Sequence, residues 1–248
     1  MNEVMSQIKN RKSVRVFEEK DISKDIKSQL LEAAFQAPTA GCQMLYTIID
    51  VTDQDKKDKL AVLCDDQPFI AKAPLVLIFL ADTQRWYDSF NYADCNPRTP
   101  EAGDLFLACA DAVIAAQNTV VAAESFGIGS CYIGDILENV EAVRELFALP
   151  DYVVPAAMAV YGYPTKAQKE RRKPVRFDSK YIIHENNYKR LTKEEHFEMH
   201  QQYMNNNGQT SKTVIEKLQA FCTRKYMSNF SKEMSRSARE YLKKFEKE

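Results

Sequence analysis

Arg11, Ser13 and Arg15 stand at alternate positions in the stretch RKSVRVF, with Val14 and Val16 interleaved. In an extended segment alternate side chains leave on one face. Two guanidinium forks and a hydroxyl on that face suit a phosphate, each charge-assisted bond contributing roughly 1.5–3 kcal/mol. The same pattern also describes a solvated basic edge. A second basic run, Lys166, Lys169, Arg171, Arg172, Lys173 and Arg176, fits either an anion site or a solvated loop.

Two further stretches are built from small residues. Ala37-Pro38-Thr39-Ala40-Gly41-Cys42-Gln43 follows a helix end, and so few side chains would let a flat ligand approach the backbone. A plain helix-to-strand connection has the same composition. The second, Gly127-Ile128-Gly129-Ser130-Cys131-Tyr132-Ile133-Gly134, ends a helix expected over 104–126. That helix is apolar almost all round, as buried helices are. Its narrow polar stripe, Asp104, Asp111, Asn118 and Ser125, suits structural hydrogen bonding rather than catalysis. The helix is long enough to cross a membrane, but its acidic and amide residues would be costly in lipid, so a soluble core helix is expected.

Several chemistries find no support. There is no G-x-G-x-x-G, no P-loop and no discernible Ser-His-Asp grouping. His196 and His200 are four apart, but within H-F-E-M-H, without the zinc-protease arrangement; no metal site is expected. A net charge of −1 argues against bulk nucleic-acid or membrane-surface binding. Six scattered cysteines read as reduced thiols, mostly in the core. The opening MNEVMSQIKNRK lacks an apolar core segment, so a cytoplasmic location is expected.

The elements that must position these residues alternate. Helices are expected over 2–10, 24–37, 53–64 and 139–149, and strands over 45–51, 74–81 and 153–162. The run PLVLIFLA has no polar member and reads as a strand buried on both faces. Residues 82–101 read as a broken helix and an aromatic-rich excursion suited to a lid. A short strand is expected at 181–184 and a helix over 192–204. One long helix over 214–245, some 45–50 Å at ~1.5 Å per residue, is expected to lie across a partner. Together they predict an α/β (α+β) fold, three layers with a mixed, mainly antiparallel sheet.

RKSVRVF, APTAGCQ and DAVIAAQNTVVAAESFGIGSCYIGDI, in that order, resemble the opening, small-residue loop and central helix of the flavin-dependent nitroreductase family. The NADPH-type oxygen-insensitive nitroreductase and flavin reductase branch also carries a turn like Asp-Gln-Pro, the segment at Leu149 to Pro155 and the His184 to Asn186 stretch. The resemblance spans about residues 4–190. It implies an FMN-binding homodimer with NAD(P)H as reductant and a small aromatic electron acceptor, working by ping-pong hydride transfer. Dehalogenation, desaturation or a non-catalytic flavin-binding role are its alternatives. Carried onto this chain, Arg11, Lys12, Ser13 and Arg15 would hold the FMN phosphate or its neighbourhood. Thr39, Ala40 and Gly41 would line the ring from the partner, Gln67 would bond its polar edge, and the Gly129-Ser130 backbone would meet N5 or O4. The family's Lys-Pro-Arg stands here as Lys173-Pro174-Val175-Arg176, making Lys173 and Arg176 phosphate candidates with Arg172 a third. No catalytic side chain is implied. Residues 1–190 would form the FMN-binding domain, and 191–248 a helical extension packing on the partner subunit. Because the extension lacks the branch's arginine-rich stretch, preference between NADH and NADPH stays open.

Overall fold

Every residue of the run LVLIFLAD is buried, and its neighbours explain why. The computed structural model describes residues 2–209 and 211–246. In chain order it contains α1 (Glu3–Asn10), α2 (Lys24–Phe35), β1 (Tyr46–Asp50), α3 (Gln54–Leu63), β2 (Leu75–Asp82), α4 (Gln84–Tyr92) and α5 (Ala102–Ser125). There follow β3 (Gly129–Ile133), α6 (Val140–Phe147), β4 (Val153–Gly162), α7 (Lys166–Glu170), α8 (Lys193–Asn206), α9 (Val214–Phe221) and α10 (Asn229–Leu242). Leu75, Leu77 and Phe79 of β2 pack against α2 and α5. Val76, Ile78 and Leu80 pack against α3 and α6 on the other side. The alternation of a strand thus serves two helical layers, and both faces are apolar.

The sheet order is β1-β2-β4-β3, and all three ladders are antiparallel. Among the described residues the parallel component is the single bridge Ser13↔Ser130. Pro155 lies inside β4 without an N–H to give. The register shifts opposite it, at Phe79/Leu80, and β3 pairs only as far as Met158, so no donor is asked of Pro155 on the β3 side.

The polar stripe of α5 is structural, as expected. Asp104 closes the helix N-terminus by accepting from Glu101 N at 2.8 Å and holds Arg98 through both carboxylate oxygens. Asn118 donates to Ala33 O, and Ser125 to Ala122 O. By length and composition α5 could cross a membrane, yet Ala112, Ala115, Ala116, Val120 and Ala123 are fully buried against the sheet. Its opposite face is different: Phe106, Leu107, Val113 and Ile114 are exposed, as are Val4, Met5 and Ile8 on α1, which packs beside it.

The chain divides into two units, Met1–Arg171 with Lys232–Glu248, and Arg172–Ser231. The long helix expected over 214–245 is not continuous. A π-helical turn, Cys222–Tyr226, follows α9, and the chain breaks at Met227-Ser228 before α10 begins. The end of α10 and the 3-10 turn after it, Lys243–Phe245, return to their own chain, burying Tyr241 and Phe245 with Leu105, Val140 and Val154. Asn139 takes left-handed φ and makes no side-chain cap to α6, its amide donating to Leu63 O. Ser237 Oγ and Glu233 Oε1 of α10 accept from Val140 N and Asn139 N instead. In the second unit, capping boxes at Thr192/Glu195 and Thr213/Glu216 start α8 and α9. The strand expected at 181–184 is instead a 3-10 turn, Ser179–Tyr181, begun by Asp178. Three of the six cysteines, Cys42, Cys95 and Cys222, are exposed, fewer core thiols than expected.

Candidate functional site

The segment carrying Arg11, Ser13 and Arg15 is laid into place by two glycines far along the chain. A Cβ added to Gly129 would lie 2.5 Å from Val14 Cγ2, and one added to Gly162 would lie 2.6 Å from Phe17 Cδ1. Neither distance is sterically allowed, so only glycine admits the segment this close. Val14 N donates to Ser130 O at 2.9 Å, and Glu18 N to Tyr163 O at 2.8 Å. Val14 and Phe17 therefore point inward, while Val16 is exposed; the strict alternation expected through Val16 stops at Val14.

Arg11 and Arg15 nonetheless gather on one spot, and Arg171 joins them. Lys12 Nζ donates to the carbonyls of Lys169 and Arg171, at 2.5 and 2.6 Å, closing the C-terminus of α7. The Arg171 guanidinium returns a bond to Ser13 O at 2.5 Å. The Cys131 thiol locates the cluster. Burial pushes it upward, while Arg15, Ser13, Arg11 and Arg171 all pull it down. Among the described residues none of these three guanidiniums takes part in an ion pair. Beside Arg15 opens a cleft of about 1000 Å³ whose lining mixes Phe17, Pro68 and Phe69 with the cations Lys20 and Lys57 and the carboxylates of Glu18, Glu19 and Asp21. Arg11 faces a separate small cavity beside α5.

The remaining candidates fall in three places. Ser130 keeps its hydroxyl fully buried without a partner and spends its carbonyl on Val14, so its side chain is not presented to a ligand. Lys173 and Arg176 belong to the second unit. Thr39, Ala40 and Gly41 form a rigid loop: Thr39 Oγ1 accepts from Met44 N, and the buried Asp111 carboxylate accepts from Ala40 N and Leu45 N. Those bonds hold Gly41, Cys42 and Met44 at positive φ, a conformation costing about 1 kcal/mol or more per non-glycine residue. Trp86 Nε1 donates to Gln43 O and Arg85 to Met44 O and Tyr46 O. The 82–101 stretch is a helix, α4, followed by an irregular exposed segment, and through Arg85 and Trp86 the helix braces this loop. Gln67 Nε2 donates to Cys64 O and to Asp135 Oδ2.

Three contributors escaped the sequence. Arg171 was visible only as one of a run of basic residues. Asp111 lay within the structural stripe with nothing to mark its loop partners, and Asp135 had no signal at all.

The sequence pattern of the nitroreductase family matches residues 8–163. The chain belongs to the nitroreductase family. It is 34% identical over 181 residues to the Cr(VI) reductase of Pseudomonas sp. strain G-1, with 73% of each chain covered. It is 33% identical over 190 residues to the FMN reductase (NADPH) of Bacillus subtilis strain 168, covering 76% of this chain and 75% of that one. The solved structure of NfrA2 from B. megaterium superposes with a TM-score of 0.82 at 27% identity, covering 99% of this chain and 98% of the other. As a nitroreductase-family member the chain is an oxidoreductase, and its three-layer fold is the family's.

Proposed function

We propose that this nitroreductase-family chain is an FMN-dependent oxidoreductase that takes hydride from NADH or NADPH and passes it to a small aromatic acceptor by ping-pong. The observation carrying the reading is the set of three guanidiniums, Arg11, Arg15 and Arg171, gathered about Ser13 with no carboxylate partner among the described residues. That donor set fits a phosphate monoester. FMN, when bound, supplies the hydride chemistry, and the protein supplies binding and electrostatics.

Arg11, Ser13, Arg15 and Arg171 would hold the phosphate, while Lys12 pins the α7 end that carries Arg171. Lys173 and Arg176 are further phosphate candidates from the second unit. The Thr39-Ala40-Gly41 loop, fixed by Asp111 and α4, would present backbone groups to the ring from the partner subunit. The Gly129-Ser130 backbone would stand at the ring's N5 edge, where a fixed donor stabilises developing charge without reorganisation. No side chain is assigned a catalytic proton transfer.

The exposed apolar face of α5 and α1 supports a homodimer, since Phe106, Leu107, Val113 and Ile114 leave a contiguous stripe in water. The part of the C-terminal extension left for the partner is the second unit, where Ile215, Phe221, Tyr226 and Met227 are exposed. The direct test is the colour of the purified protein under anaerobic conditions. A yellow protein bleached by NADH or NADPH, and recoloured by a quinone, meets the proposal; a colourless protein that takes up no FMN refutes it.

A further inference from the structure

Gln67 lies in the turn between α3 and β2. Its backbone N–H donates to Ala61 O at 2.8 Å, and Asp65 and Asp66 before it both take positive φ. The turn so fixed aims the Gln67 side chain at Asp135. Nε2 donates to Cys64 O at 2.7 Å and to Asp135 Oδ2 at 2.8 Å. A primary amide nitrogen carries two N–H bonds, and both are spent. Turning the amide over would set Oε1 against a carbonyl and a carboxylate at the same distances, so the partners decide the orientation. Among the described residues no donor reaches Oε1. Gln67 can therefore only accept from a ligand.

Asp135 reaches this position because of where it sits in the chain. It lies in the 3-10 turn Gly134–Leu137, directly after β3, the strand that carries Gly129 and Ser130. One strand thus sets both the backbone proposed for the ring's N5 edge and the carboxylate that holds Gln67. Pro68 and Phe69, the next residues after Gln67, line the same cleft as Arg15.

We propose that Asp135 is a positioning residue for the cofactor: by holding the Gln67 amide with its carbonyl outward, it selects the ring N–H over the ring carbonyls. This rests on the FMN reading above. The pyrimidine edge of an isoalloxazine presents two carbonyl oxygens flanking one N–H, at N3. An obligate acceptor complements only the N–H; facing a carbonyl it would leave two acceptors opposed and desolvated. Asp135 itself touches no cofactor atom in this scheme and acts only through Gln67.

The test compares FMN with 3-methyl-FMN, which lacks the N3 proton, by fluorescence titration of flavin-stripped protein. Wild type is expected to prefer FMN by about tenfold or more, because a site built to bond an N–H rejects an analogue without it. Asp135→Ala leaves Nε2 held by Cys64 O alone, so the amide is no longer fixed through both of its N–H groups, and the preference should fall below about threefold. Asp135→Asn keeps an oxygen for Gln67 Nε2 and should retain most of it; a merely structural role for Asp135 would instead shift both flavin affinities together and leave their ratio unchanged in Asp135→Ala. Should Asp135→Ala fail to fold, Gln67→Leu carries the same test, since it removes the acceptor. Asp135→Ala or Gln67→Leu protein that binds FMN and keeps the full preference overturns the inference, as does wild type that binds both flavins equally. Wild type that binds neither flavin overturns the FMN reading itself.

Discussion

Ser237 Oγ accepts the backbone N–H of Val140 at 3.1 Å, capping a helix 97 residues earlier in the chain. Glu233 holds the adjoining Asn139 N–H, and Arg236 clamps Glu233 to Glu141 of the capped helix. Helix α6 has no side-chain cap from its own sequence, so its first free amides depend on α10. Ser237→Ala should destabilise the protein by about 1 kcal/mol, the usual worth of a cap. Urea unfolding would show this as a lowered midpoint with unchanged slope.

Gly129→Ala places a methyl group 2.5 Å from Val14 Cγ2. Relief requires the basic segment to move off β3, at a cost of about 1–3 kcal/mol. Flavin affinity should fall with stability. The double variant with Val14→Ala should recover both in part, because it removes the two methyls at 2.5 and 3.3 Å and leaves only Cβ, at 2.9 Å, to be accommodated; independent, additive losses would refute the steric account.

Arg171→Ala should weaken FMN binding by roughly 10- to 100-fold, equivalent to about 1.5–3 kcal/mol for one charge-assisted contact. Arg15→Ala should lose a similar amount. Lys166 stands at the exposed start of α7, where its nearest carboxylate is Glu170 at 3.8 Å; Lys166→Ala should leave affinity unchanged. Equilibrium dialysis of the three variants separates a phosphate site from general basicity.

Glu138 is buried between the turn after β3 and α6. Burial pushes its carboxyl up to about 7, and Asp135, Asp65 and Glu233 push the same way. The folded protein then holds this proton more tightly than the unfolded chain, whose carboxyl titrates near the ordinary value. Stability from this group is full below about pH 4.5 and is lost as pH rises through about 7, on the order of 2–3 kcal/mol in all. Unfolding midpoints should decline between about pH 5 and 8. Glu138→Gln should flatten that decline and be the more stable protein at the alkaline end.

A carboxylate in the middle of the exposed α5 face should prevent dimer formation. Val113→Glu is expected to give a monomer by light scattering and to lose flavin with it, because the Thr39-Ala40-Gly41 loop would then come from no partner. A Val113→Glu dimer with flavin bound would move the proposed interface elsewhere.

The layered fold was legible because its two main signals are local. An unbroken apolar run can only be a doubly buried strand, and a 24-residue helix with one polar stripe has few places to go. Arg11, Ser13 and Arg15 were legible as residue types but not in their register, since Val14 and Phe17 are turned inward by glycines more than a hundred residues away. Arg171 could not be distinguished from Arg172 or Lys173 by charge; its place depends on where α7 ends and on Lys12 closing that end. The break in the C-terminal helix was hidden because its apolar spacing continues through the π-helical turn, which shifts the face without changing the residue types. Gln67 could be recognised, but its single permitted polarity required two partners from different parts of the chain.

The bridge from Ser13 to Ser130 and the bond from Arg171 to Ser13, 158 residues apart, have a consequence for biosynthesis. Contacts of such separation close large loops and form late. The first residues of the basic segment leave the ribosome early, yet they acquire their backing strand and third guanidinium only when most of the chain has been made. A truncated product ending before α7 would keep the pairing of this segment with β3 but lack Arg171 and the carbonyls that hold Lys12. Capture of the proposed phosphate would therefore be a late checkpoint, stabilising by mass action only chains in which residues 11–15 have already met Arg171.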